Sequence, residues 1–161
     1  LVNSLAILNY NLGDFEAARP MFERELANLE RTLGPEHRNT ASMMNNLGLL
    51  LLDMGLLDEA RERIEESLRI REAVLGPDHE EVGTSLLNLG RLELEEGNPA
   101  DARNSFERCL AIRETALGPD HPYFVGTLRY YAQALRQLGE TSEADRVEQR
   151  IAALEAASGE E

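Results

Sequence analysis

The 161-residue chain has no tryptophan, and aromatic residues make up only 5% of it. So few aromatic anchors disfavour a β-sandwich core. Cysteine is reduced to Cys109 alone. No intrachain disulfide can form and nothing ties the chain to an oxidising compartment, so a cytoplasmic location is expected. Long apolar runs are missing too: the longest, Leu47 to Leu52 with Gly48 inside it, falls far short of the ~20 residues that span a bilayer. Basic residues are scarce beside acidic ones, 16 Lys+Arg against 30 Asp+Glu, for a net charge of −14. That balance argues against nucleic acid and against an anionic membrane as partners, since both select basic surfaces. Residue 1 is Leu, and no charged-then-apolar leader follows it.

What is present is a mixture typical of a soluble folded protein, 42% hydrophobic and 29% charged. The length allows one ordinary domain or an elongated array of small units. Internal repetition selects the array. Leu33-Gly34-Pro35-Glu36-His37 returns as Leu75-Gly76-Pro77-Asp78-His79 and as Leu117-Gly118-Pro119-Asp120-His121, each time 42 residues on. Gly13, Gly55, Gly97 and Gly139 keep that interval, as do Ala18, Ala60, Ala102 and Ala144.

Within each unit the apolar spacing is helical, as in Leu86, Leu89, Leu92 and Leu94, then Ala102, Phe106, Cys109, Leu110 and Ile112. Gly97-Asn98-Pro99 separates these two stripes as a helix stop and a restart. Leu-Gly-Pro is expected to end each second helix through a left-handed glycine cap, with Asp78 and Asp120 capping the helices that follow. The pattern predicts first helices over about 1–12, 39–54, 81–96 and 122–138, and second helices over about 15–32, 57–74, 99–116 and 141–157. The units are then about 1–37 (truncated), 38–79, 80–121 and 122–161, and the chain is expected to be a piece of a longer protein. In the last unit Glu148 replaces the Phe22, Ile64 and Phe106 of the others, which reads as a polar capping helix.

The residues Asn46-Leu47-Gly48, Gly55, Ala60, Ile64 and Ser67 resemble the tetratricopeptide repeat. The 42-residue period, Met44-Asn45-Asn46-Leu47-Gly48 and Leu110-Ala111-Ile112-Arg113-Glu114 are similar to its kinesin light chain-like subgroup. Two positions depart from the pattern: Glu25 stands where a small residue is usual, and Tyr131 where Leu is. The resemblance implies an all-α, right-handed solenoid with first helices lining a concave groove. It implies binding of a protein or peptide, not catalysis. Kinesin light chain repeats accept short acidic peptides containing Trp, and similar bacterial arrays accompany kinase, nucleotide-binding or caspase-like domains.

Aligned at 42 residues, the groove columns offer Asn3, Asn45, Asn46 and Asn88, whose amides match a peptide backbone. The early half adds Ile7, Tyr10, Leu49 and Leu52, an apolar stretch for a large side chain. The late half adds Arg91, Arg129, Tyr130, Gln133 and Arg136. Its three guanidinium groups are placed to converge on a carboxylate, which favours an acidic ligand. The plainer alternative is that these arginines pair locally, Arg91 with Glu93, Glu95 or Glu96. A second functional reading is a structural module that self-associates through the apolar face of the truncated first unit.

Nothing in the pattern supports an enzyme, a metal site or a cofactor. His37, His79 and His121 recur one unit apart, where stacked helices lie ~8–10 Å from each other, too far to share a metal needing ligands at ~2.1 Å. Cys109 aligns with Ser67 in a small-residue column and reads as a buried inert thiol. Glu65-Glu66 and Glu95-Glu96 are expected on solvated helices, without an acid–base partner.

Overall fold

The computed structural model describes residues 2–119 and 121–158, with side chains over 5–119 and 121–157. Among these residues there is no strand. The helices are α1 (Val2–Asn11), α2 (Phe15–Leu33), α3 (Arg38–Asp53), α4 (Leu57–Leu75), α5 (Glu80–Glu95), α6 (Pro99–Leu117), α7 (Val125–Gln137) and α8 (Thr141–Ser158). Their ends lie within a residue of the expected bounds, except at the start of α7. There Pro122–Phe124 forms a 3-10 turn, because Pro122 has no N–H and the Phe124 N–H closes the tighter ring onto the His121 carbonyl at 3.2 Å.

The glycine that ends each second helix is not in the left-handed helical conformation expected of it. Gly34, Gly76 and Gly118 have φ of 92°, 91° and 82° with ψ of 160°, 156° and 163°. This region is open essentially to glycine alone. The following proline is the reason, since it forces its predecessor to an extended ψ. Each glycine N–H still closes the helix, bonding to the carbonyl of Glu30, Glu72 or Glu114 at 3.1, 3.1 and 2.9 Å.

The next helix is capped by histidine rather than by the aspartate before it. His37 Nδ1 accepts the Asn39 N–H at 3.1 Å, His79 Nδ1 the Glu81 N–H at 3.1 Å, and His121 Nδ1 the Tyr123 N–H at 3.2 Å. Histidine is the last extended residue in each case, with ψ between 130° and 144°, so its side chain reaches the orphan donors of the first turn. Asp78 lies one residue too early, and Asp120 lies outside the described residues. An accepting Nδ1 places the ring proton on Nε2.

The chain divides into two compact units, Leu1–Pro77 and Asp78–Glu161. In the first, α1 packs on α2, α2 on α3 and α3 on α4; in the second, α5 packs on α6, α6 on α7 and α7 on α8. Hairpins close tightly where a glycine meets a large side chain. A Cβ on Gly48 would lie 2.6 Å from Ile64 Cγ1, and one on Gly90 2.5 Å from the Phe106 ring. Phe106 is fully buried, which is worth about 2–3 kcal/mol by area. Around it gather Leu94, Ala102 and Ala134, with Leu87, Tyr130 and Tyr131 at the edge. Leu110, Phe124, Leu128, Leu135, Val147, Ile151 and Leu154 belong to another core cluster of the second unit.

Polar groups finish the packing. Ser67 Oγ donates to the Ala41 carbonyl at 2.7 Å, tying α4 to α3. Arg71 and Arg113 are buried, again 42 residues apart. Arg71 Nη2 bonds Ser42 Oγ at 3.1 Å. Arg113 Nη1 bonds Thr127 Oγ1 at 2.6 Å, and its guanidinium lies 4.5 Å from the centre of the Tyr123 ring. Cys109 is fully buried. Burial pushes its thiol above the ordinary value, against smaller opposing effects of Arg113 and Thr127.

Candidate functional site

In the first unit, α1, α2 and α3 enclose a cavity of about 200 Å³ lined by Ile7, Tyr10, Asn11, Phe22, Asn46 and Leu49. Helical spacing puts Asn46 and Leu49 on one face of α3, opposite Ile7 and Tyr10 of α1. Phe22 is buried and comes from α2. Tyr10 is held in place twice. Its hydroxyl donates to a carboxylate oxygen of Asp53, and its ring lies 5.7 Å from that of Phe15.

A second cavity of about 270 Å³ is lined by Glu25, Leu29, Asn39, Ser42, Met43 and Asn46. The two cavities share Asn46 as a wall, so they adjoin. The second lies one turn further along α2, from Phe22 to Glu25, and one turn back along α3, from Asn46 to Ser42. Together they offer an apolar recess, amide donors and acceptors, and one carboxylate.

The expected site residues divide. Ile7, Tyr10, Asn46 and Leu49 come together around the first cavity. Asn45 and Leu52 are 2% and 6% exposed, and Asn88 is 4% exposed, so their side chains are core and present little surface to a ligand. The side chain of Asn3 lies outside the described residues. In the second unit Arg91 sits over the Tyr130 ring at 5.4 Å, and Tyr130 stacks on Phe106 at 6.1 Å. Gln133 is exposed beside them on α7.

Arg129 and Arg136 are each engaged by carboxylates of α8. Arg129 pairs with Glu155 at 2.5 Å. Arg136 pairs with Asp145 at 2.6 Å and Glu148 at 2.8 Å. Hydrogen bonds to Glu148 and then Asp145 hold the Arg136 guanidinium above its ordinary pKa. The reason lies in the columns. Leu87 and Leu94, 42 residues earlier, face the cluster made with Ala134 and Tyr130 of the next hairpin. These are stacking positions, and on α7 the same positions meet the carboxylates of α8.

Sequence reasoning missed Phe22, Glu25 and Leu29 as cavity residues because it searched only the first helices. The signal available was Glu25 itself, a carboxylate in a column of small residues. The second helices carry many further ion pairs, among them Arg19 with Glu23 and Glu59, Arg69 with Glu36 and Glu66, and Arg103 with Glu140. Their arginines are thereby engaged locally. Among the described residues no three His, Cys, Asp or Glu side chains gather as a metal ion would require. No described helix is long and apolar enough to cross a membrane.

The family model of the tetratricopeptide repeat matches residues 1–73 and again 40–115. Among curated proteins none matches the chain. The fold is similar to that of BtubC (BKLC) from P. vanneervenii, with a TM-score of 0.85 at 23% identity over 96% of this chain. The chain spans 62% of that protein's length. It is also similar to a Podospora anserina protein described as a kinesin light chain with nearly identical repeats. There the TM-score is 0.74 at 24% identity, covering 98% of this chain and 74% of that one.

Proposed function

Because the chain belongs to the tetratricopeptide repeat family, whose repeats generally act as protein-interaction scaffolds, we propose that it is a non-catalytic, cytoplasmic module that holds an extended peptide segment of a partner protein in its first unit. The observation that carries this is the cavity of Ile7, Tyr10, Phe22 and Leu49. A large apolar side chain entering it gains roughly 25 cal/mol for each Å² withdrawn from water. Asn46 and Asn11 at its rim pair with peptide amides, which fixes orientation at little cost in sequence selectivity. An acidic ligand at Arg91, Arg129 and Arg136 would first have to displace the α8 carboxylates that engage two of the three.

The protein lacks Trp, so a Trp-containing peptide can be followed by its own emission without background. Titration with a short peptide carrying one Trp is expected to saturate with a blue shift. Leu49→Glu is expected to abolish that binding while circular dichroism and Tm stay close to wild type. Saturable binding indifferent to Leu49→Glu would put the peptide elsewhere, and no binding at all would end this reading.

One observation favours self-association as a second reading. On α1, Leu5 and Leu8 are 48% and 51% exposed and share a face. Their counterparts 42 residues on, Leu47 and Leu50, are 3% and 0% exposed. Light scattering over a concentration series tests it, with a strict monomer throughout counting against it.

A further inference from the structure

Resting on the peptide-site reading above, we propose that this site selects a ligand with a lysine or arginine beside its apolar anchor, and that Glu25 is the residue that reads the cation. Glu25 is half-buried and lines the cavity that adjoins the apolar one. Neither a hydrogen bond nor an ion pair engages its carboxylate among the described residues, and the lining of that cavity includes no basic side chain. In the same unit Arg19 answers Glu23 and Glu59, and Arg69 answers Glu36 and Glu66, while the carboxylates of Glu16, Glu30, Asp58 and Glu62 are, like that of Glu25, unengaged among the described residues. What sets Glu25 apart is its place on the wall of this cavity.

The column makes the position unusual. Where α2 has Glu25, α4 has Ser67 and α6 has Cys109, both fully buried. Ser67 spends its hydroxyl on the Ala41 carbonyl. Glu25 is instead half-buried, and its carboxylate, with no cation bonded to it, is available to a cationic ligand.

The spacing fits a peptide. Glu25 follows Phe22 by three residues, a rise of about 4.5 Å along α2. Alternate residues of an extended strand are ~6.6 Å apart and point to the same side. An apolar side chain in the first cavity therefore brings the residue two positions away to the second. The net charge of −14 adds long-range attraction for a basic peptide and repulsion for an acidic one.

The test uses three acetylated, amidated peptides: Lys-Ser-Trp-Ser-Lys, Ser-Ser-Trp-Ser-Ser and Glu-Ser-Trp-Ser-Glu. The flanks are symmetric, so strand direction does not matter. Each is titrated by Trp emission at low salt into the wild-type chain, Glu25→Gln, Glu25→Ser (the residue of the Ser67 position) and Glu23→Gln. The lysine peptide is expected to bind about five- to tenfold tighter than the serine peptide, and the glutamate peptide weaker than either. Both Glu25 variants are expected to cut the lysine advantage to about twofold or less, with the lysine peptide losing more affinity than the serine peptide. Glu23→Gln, which removes one charge elsewhere, is expected to leave the advantage in place. An advantage that survives both Glu25 variants, or falls equally in Glu23→Gln, overturns the role of Glu25 and leaves the apolar site standing. Equal binding of all three peptides to wild type overturns the cation preference. Failure of every peptide to bind overturns the peptide site itself.

Discussion

Gly90 has no side chain, and the Phe106 ring lies 2.5 Å from where its Cβ would be. Gly126 is also helical, yet a Cβ there would meet nothing within 4 Å. The same substitution therefore has opposite signs at the two sites. Gly90→Ala gains up to ~1 kcal/mol of helix propensity but overpacks a core, for a net loss of about 1–2 kcal/mol. Gly126→Ala is expected to gain about half a kcal/mol. Urea denaturation at constant m separates them, and a stabilised Gly90→Ala would mean that the ring moves aside freely. Two acids also act at this scale. Burial holds the Cys109 thiol above its ordinary value of 9.0. Burial, and after it the hydrogen bond to Glu107, holds the Tyr131 phenol well above 10.0. Protons bound more tightly in the folded state stabilise it below the unfolded values and cease to do so as pH rises through the folded ones. Stability is thus expected to fall on raising pH past about 9, with Cys109→Ser losing less than wild type. A pH-independent midpoint up to pH 10.5 would contradict this.

At the level of the element, each first helix that follows a Leu-Gly-Pro turn starts on a histidine acceptor. His79→Ala removes the bond to the Glu81 N–H and is expected to cost about 1 kcal/mol. His79→Asn offers an equivalent oxygen and is expected to recover most of that, by the same denaturation measurement. Equal losses would show that the ring matters for packing rather than as a cap. The ends of helices also show why the expectation of Asp78 missed: composition marks where a helix begins to within a residue or so, but the backbone decides which side chain reaches the free N–H groups. The same holds for α8. Its carboxylates were legible as a polar face, yet only the placement of α7 beside them shows that they take up Arg129 and Arg136. Such exposed pairs are screened by solvent, so their consequence here is for charge, not stability.

Across the whole molecule, burial is uneven in a way that predicts dynamics. α3 and α5 bury residues on several sides, including Thr40, Asn45 and Leu50 in one and Ser85, Asn88 and Leu92 in the other. Ala6 is buried on α1, while Leu5, Leu8 and Leu12 are open to water. Amide hydrogen exchange is therefore expected to be fastest in α1 and slowest in α3 and α5. Protection of α1 that matches α3 and grows with protein concentration would instead mark a second copy on the leucine face.

The sequence by itself determined the helices, their period and the family, because each depends on local spacing: 3.6-residue apolar stripes, Gly-Pro stops and a 42-residue recurrence. Ile7, Tyr10, Asn46 and Leu49 were legible too, as members of first-helix columns that line the candidate cavity. Only the tertiary structure decided which members of a column face a neighbouring helix and which face a cavity. Burial of Asn45, Leu52 and Asn88, and the turning of Arg129 and Arg136 toward α8, follow from the angle at which hairpins stack, and no periodicity in one chain encodes that angle. Phe22 and Glu25 enter the site for the same reason. They belong to a second helix: Phe22 is buried beneath the cavity between α1 and α3, and Glu25 lines the adjoining cavity between α2 and α3.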